Sequence, residues 1–274
     1  MRKFKLHNSL SQVMDVNVLT SFLNEPQGLG FKTNNSYISI GTQYIQTLKE
    51  HRQAEPSGKV KFNTYAEYFN FIKFIQYRPL RLEYIPDTTS YFLECNVKEV
   101  RKSEKLTESG WLQAEITFEA LGQWYKQTSW NSPTEFDNDK TYVYKYPFVY
   151  SASNINQFIY NSNSVIDSPC DIVIFGPCEN PRWEQKVNGV VTATGKINCE
   201  IPEGHKLVIS SVAPFYIWET DNNYNKIQNR YQDSDFDTER FMFIRIGENR
   251  ITFTHDQPST LKVFMNVYEY YEGV

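Results

Sequence analysis

The chain lacks any run of apolar residues long enough to cross a membrane as a helix, so no membrane association is expected. It also lacks an apolar h-region at its start. Met1-Arg2-Lys3-Phe4-Lys5-Leu6-His7 leads straight into Asn and Ser, which predicts no signal peptide and folding in a cytoplasm. A basic footprint is missing too: 28 Lys and Arg stand against 32 Asp and Glu, a net charge of −4. The first 140 residues are close to neutral and the remainder holds the acidic excess. Specific nucleic-acid binding is not expected of such a surface. Glycine is sparse at 12 residues, and neither a P-loop nor a GxGxxG fingerprint occurs. Gly28-Leu29-Gly30 lacks the third glycine and a following helix, and reads as a turn. GxSxG and HExxH are absent as well. No enzyme activity, catalytic residue or cofactor is expected.

Cysteine is scarce, at 4 residues with no CxxC pair. Cys95, Cys170 and Cys199 each share strand parity with aliphatic neighbours, which predicts small buried hydrophobes with free thiols. The competing reading is a zinc site built from Cys170, Cys178, Cys199 and His205. The acidic stretch Asp233-Ser234-Asp235-Phe236-Asp237-Thr238-Glu239 begins like a calcium loop. Its sixth place is Thr238 rather than glycine and its twelfth is Ile244 rather than a carboxylate, which excludes an EF-hand and leaves a looser calcium site or a solvated loop.

Aromatics are abundant: 19 Tyr and 19 Phe within a 16% aromatic share. Such residues favour strands and interfaces. One segment reads as a helix. Thr64-Tyr65-Ala66-Glu67 is a capping box, and Arg78-Pro79 stops the helix because a residue before proline is pushed out of the helical region. At helical spacing Phe71, Ile75, Tyr68, Ile72, Tyr65 and Phe69 make one apolar arc. Phe74 and Tyr77 fall among the polar positions, and they are the candidate contacts to a neighbouring subunit.

Elsewhere the chain reads as short strands. Leu112, Ala114, Ile116 and Phe118 alternate with polar residues, as do Leu80 to Ile85 and Leu261 to Val267. Tyr142, Tyr144 and Tyr146 alternate likewise, and Asp171 to Phe175 is a short apolar strand. Ser57-Gly58 reads as a turn, the charged stretch from Lys49 to Glu55 as an exposed hairpin arm or loop, and Phe241 to Thr254 as a hairpin around Gly247-Glu248-Asn249. At 274 residues the chain suits two domains. The Ser, Asn, Asp and Pro rich stretch 128–140 is the expected boundary, giving domains over 1–135 and 141–274. The expected class is mainly β with one helix: a β-sandwich-like first domain, then a β-sandwich or jelly-roll. Trp183 and Trp218 are candidate carbohydrate contacts, because an indole offers a flat apolar face with a polar rim.

Taken in order, the landmarks resemble a known family. They are Pro26 to Phe31, the helix with Tyr65, Tyr68 and Phe71, Pro79 to Tyr84, Lys102-Ser103-Glu104, Trp124-Tyr125, Ser168-Pro169-Cys170, Gly176-Pro177, Asn180-Pro181, Gly204, and Gly247 to Ile251. This order is similar to the distal tail proteins of long-tailed, non-contractile phages. The resemblance implies a structural virion protein and no catalytic residues. The first domain would build a homo-hexameric ring in the tail-tip baseplate, touching the major tail tube protein and a tail-tip protein. The second would be a galectin-like sandwich that carries baseplate or receptor-binding proteins. Two alternatives stand beside this: a carbohydrate-binding protein contacting host cell-wall saccharide through the second domain, and a cell-wall hydrolase.

Overall fold

The structure is a computed structural model that describes residues 2–18, 21–103, 112–132, 156–257 and 261–274. The tyrosine alternation at 142–146 and most of the expected boundary lie outside these residues. The chain forms two compact units, Met1–Gln127 with Tyr270–Val274, and Thr128–Glu269. The stretch 128–131, read as linker, is the end of the Trp124–Asn131 strand, and the last five residues return to the first unit.

In the first unit the long strand Tyr91–Ser103 joins the two parts of one antiparallel sheet. Its first half pairs with Leu80–Ile85, which pairs with Lys3–His7, which pairs with Val13–Asp15. Its second half pairs with Leu112–Ala120, followed by Ser57–Phe62 and Ser21–Gln27. Every one of these pairings is antiparallel. Inward residues alternate as the sequence predicts: Leu112, Ala114, Ile116 and Phe118 are all buried. Gly58 lies inside a strand rather than in a turn, and a Cβ there would press on Leu23. The two strands pack closely where the side chain is missing.

The helix spans Tyr65–Ile75. Its capping box forms as expected: the Glu67 N–H donates to Thr64 Oγ1 at 3.3 Å, and the Thr64 N–H donates to Glu67 Oε2 at 3.2 Å. Each bond satisfies a donor that the first turn leaves open. The buried face is Phe71, Phe74 and Ile75, with Phe71 against Phe62 at 5.3 Å between ring centroids. Burying an aromatic of this kind stabilises by about 1.5–3 kcal/mol. The apolar arc read from the sequence is therefore rotated. Tyr65 and Phe69 face outward, and Phe74, expected on the wet side, is 8% exposed within its own unit's core.

Phe31–Ile40 and Gln43–Gln53 form a hairpin that pairs with no other strand among the described residues. Gly41, at φ +64°, makes the tip. The charged stretch from Lys49 thus belongs to an exposed arm, as the sequence suggests.

The second unit is a sandwich of two antiparallel sheets. One runs Lys226–Asn229, Tyr216–Asp221, His205–Ser210, Ser168–Phe175, Lys262–Tyr271, the last strand as far as Glu269. The other runs Asn156–Ser162, Gly247–Thr254, Arg182–Val187, Val190–Lys196. Both feed one core that includes Ile172, Leu207, Ile217, Trp183, Ile251 and Phe253. The hairpin expected over 241–254 does not form. Phe243–Ile244 pairs with Ser168–Pro169, whereas Gly247–Thr254 pairs with Asn156–Ser162 and Arg182–Val187. The chain crosses between the sheets at a turn held by Asn249, whose Nδ2 donates to the carbonyls of Arg245 at 2.7 Å and Gly247 at 2.8 Å.

All four cysteines are buried free thiols, as the parity of three of them predicts. Burial pushes each thiol up to about 12, so they stay protonated and pack as small apolar groups. The suggested zinc set is not assembled: among the described residues no group of three His, Cys, Asp or Glu could hold a metal ion.

Candidate functional site

The first unit leaves large apolar side chains in water. On the hairpin, Ile38 pairs directly with Ile45, and Ile40 and Leu48 lie on the same face by register. All four are about half exposed or more. The opposite face carries Tyr37 and Tyr44, also exposed. A lone two-stranded hairpin is marginal in water, and such an apolar row marks an interaction surface. Of the two aromatics singled out on the helix, Tyr77 is 46% exposed and remains free to meet a partner, and Phe74 is not. The hairpin carries the larger apolar surface, and only its exposure reveals it. The sequence reading placed an exposed hairpin arm or loop over its charged second half and gave no role to its apolar row.

The second unit holds its polar groups differently. Glu219 has a buried carboxylate. His205 Nδ1 meets it at 2.5 Å, and Arg230 reaches its other oxygen through Nε at 2.8 Å and Nη2 at 2.5 Å. Burial works against the charge, but the hydrogen bonds from His205 and Arg230 outweigh it and hold the carboxyl below its ordinary value. The acidic stretch read as a loose calcium loop is committed elsewhere. Asp233 accepts from Arg230 at 3.1 Å, and Asp235 accepts from the Asp237 N–H at 3.0 Å.

Neither tryptophan offers a platform. Trp183 is 2% exposed and packs in the core over Gly195, where any Cβ would overlap the indole. That corrects its assignment as a carbohydrate contact, since a covered ring presents no face. Trp218 is half-buried, stacked on Tyr216 at 4.1 Å between centroids, with Lys226 Nζ 3.1 Å from its own centroid. Two neighbours that close must take opposite faces of the ring.

An open cleft of about 710 Å³ lies in the second unit. Ile166, Asp167, Thr238, Glu239, Arg240, Phe241, Phe243 and Arg245 line it. Sequence reading passed over it, because its residues come from two distant segments and carry no motif.

These features define a β-rich protein whose first unit carries an uncovered apolar hairpin. Residues 3–121 match the family model for the distal tail protein, N-terminal domain. The match lies within the first unit and leaves the second outside it. The whole chain is similar in fold to solved phage baseplate and Dit structures. A chain of the phage P2 baseplate in its activated conformation with Ca superposes at a TM-score of 0.65 and 15% identity, each chain covered in full. The same baseplate with Sr gives 0.64 and 14%, again over both whole chains. The SPP1 Dit protein, described as a hub of adsorption apparatus in phages that infect Gram-positive hosts, gives 0.60 and 8%, with 98% of this chain and 99% of that one covered. The curated proteins include no match.

Proposed function

We propose that this protein is a distal tail and baseplate hub of a phage virion. In this reading it is synthesised in the host cytoplasm and assembled as a homo-hexameric ring that joins the tail tube to the tail-tip apparatus. The first unit forms the ring. The second, a galectin-like sandwich, carries baseplate or receptor-binding proteins. The observation behind this reading is the distal tail protein match over residues 3–121, in the unit that also bears the uncovered hairpin. A ring closes by head-to-tail contacts, so each subunit must offer two different surfaces. The hairpin's apolar row is a natural first surface, and the helix flank around Tyr77 a candidate second.

Light scattering on a sizing column, with negative-stain images, tests the assembly. The wild-type protein should run as a ring, alone or beside its tube and tip partners. A double change Ile38→Lys and Ile45→Lys should leave monomers with both units still folded, because these side chains touch no core. A wild-type chain that stays monomeric at high concentration even with its tail partners would overturn the reading.

A further inference from the structure

We propose that Asn188 is a self-modification site, converted without an enzyme to aspartate and isoaspartate through attack by the Gly189 nitrogen. The inference concerns one turn of the second unit and does not rest on the ring.

Asn188-Gly189 is the one Asn-Gly pair in the chain. An asparagine side-chain carbonyl and the next residue's backbone nitrogen can close a five-membered ring. A glycine in that next place has no Cβ to crowd the approach. Every other asparagine here is followed by a residue with a side chain.

The fold puts this pair where a reaction can reach it. The two residues are the whole connection between the strands Arg182–Val187 and Val190–Lys196, with Val187 opposite Val190. Their φ values of +51° and +84° are the left-handed pair that a type I′ hairpin turn requires. Both are exposed, and Val190 beside them is 68% exposed. Neither the Asn188 side-chain amide nor the Gly189 N–H makes a hydrogen bond among the described residues. The amide only rests near Gly247, 3.7 and 3.8 Å from where a Cβ would stand.

The closed turn also restrains the reaction. In the left-handed region ψ lies near about +47°, which sets the Gly189 nitrogen anti to the Asn188 Cβ across the Cα–C bond. Attack needs the tip to open and Asn188 to leave φ +51°. Little resists that: one backbone bond anchors the residue, from the Asn188 N–H to the Glu248 carbonyl at 3.1 Å. Exposed tips with so few contacts open at the low-stability end of a fold. The turn therefore sets the rate, slow when closed and fast when open.

In the first step the Gly189 nitrogen bonds to Asn188 Cγ and the Cγ–Nδ2 bond breaks. The proton lost by the Gly189 nitrogen leaves with Nδ2 as ammonia, and a succinimide remains. Water then opens the ring. Attack at Cγ gives aspartate, and attack at the backbone carbonyl gives isoaspartate. Aspartate keeps the turn, since Asp-Gly also suits type I′. Isoaspartate adds a methylene to the main chain and cannot hold Val187 opposite Val190. Either product sets a new carboxylate beside Glu248.

Peptide mapping of the full chain by mass spectrometry tests this, after storage for weeks at neutral and at mildly alkaline pH. Position 188 should gain about 1 Da as an NH2 gives way to an OH, ahead of every other asparagine. The conversion should quicken as pH rises, because the attacking nitrogen must lose its proton. The same chain in urea should convert about tenfold faster or more, since no turn restrains it. Asn188→Gly leaves a Gly-Gly pair that also suits the turn, and should yield no acidic form. Should that variant fail to fold, the wild-type map decides alone. A folded chain that stays intact at 188 while the urea sample converts, earlier conversion at another asparagine, a rate indifferent to pH, equal rates with and without urea, or the same acidic form from folded Asn188→Gly would each overturn the proposal.

Discussion

The two units solve the same packing problem and treat their leftovers in opposite ways. The first buries a compact core around Phe62, Phe71 and Phe74 but leaves a whole hairpin of isoleucine, leucine and tyrosine in water. The second also exposes apolar side chains, Phe215 and Val190 among them, but fills the space between its two sheets with a core that takes in the polar side chains of Gln185, Asn249 and Glu219. Exposed apolar surface that serves no core points to a partner. Buried polar groups that serve no apolar core point to a shape being held. The first unit thus leaves an apolar arm uncovered, and the second holds polar groups inside its sandwich.

The sharpest way to break that contrast is at Phe74. Phe74→Ser should lower the first unit's stability by about 3–5 kcal/mol, since it empties a core position. Tyr77→Ser, on the exposed flank, should stay within about 0.5 kcal/mol. Calorimetry that resolves the two units would show the first melting early in one variant only. Equal, small effects would mean that Phe74 is not part of the core.

Glu219 probes the second unit. Glu219→Ala should cost about 3–5 kcal/mol there, because it leaves Arg230 without its buried partner. The pH dependence has a definite sign. The carboxyl of Glu219 is lowered in the folded state, so its contribution is complete above the unfolded value of about 4.3 and is lost as pH falls through the folded one. Glu83 in the first unit behaves alike. Burial opposes its charge, and His7 at 2.9 Å, Ser90 at 2.8 Å and Lys5 outweigh that burial. Urea melts taken from neutral pH downward should therefore weaken both units, and stability that rose in acid would contradict this balance.

The smallest effect lies at the helix start. Thr64→Ala removes one arm of the capping box and should cost the first unit about 1 kcal/mol, read from the denaturant midpoint. A larger loss would mean that the helix is held by its cap more than by its packing.

Local rules made much of the fold legible. The capping box, the stop at Arg78-Pro79, the inward row Leu112 to Phe118 and the buried cysteines all follow from neighbours in sequence. The resemblance to distal tail proteins came from the order of landmarks rather than from any one motif. The misses share one cause. Which side of the helix counts as inside is decided by the sheet beneath it, so Phe74 was read as outward and Phe69 as inward. The segment 241–254 has the alternation of a hairpin, but a buried amide at Asn249 turns its first part to one sheet and its second to the other.

By itself the sequence determined what short-range physics controls: element types, most strand faces, the state of the thiols, and the absence of familiar catalytic motifs. Only the tertiary structure decided which apolar residues end up without cover, that Trp183 is a core residue, and that Asp167 and Arg245, 78 positions apart, share a cleft. Burial and proximity belong to the packed chain. Alternation shows that a residue has an inside to face, and the rest of the molecule must supply it.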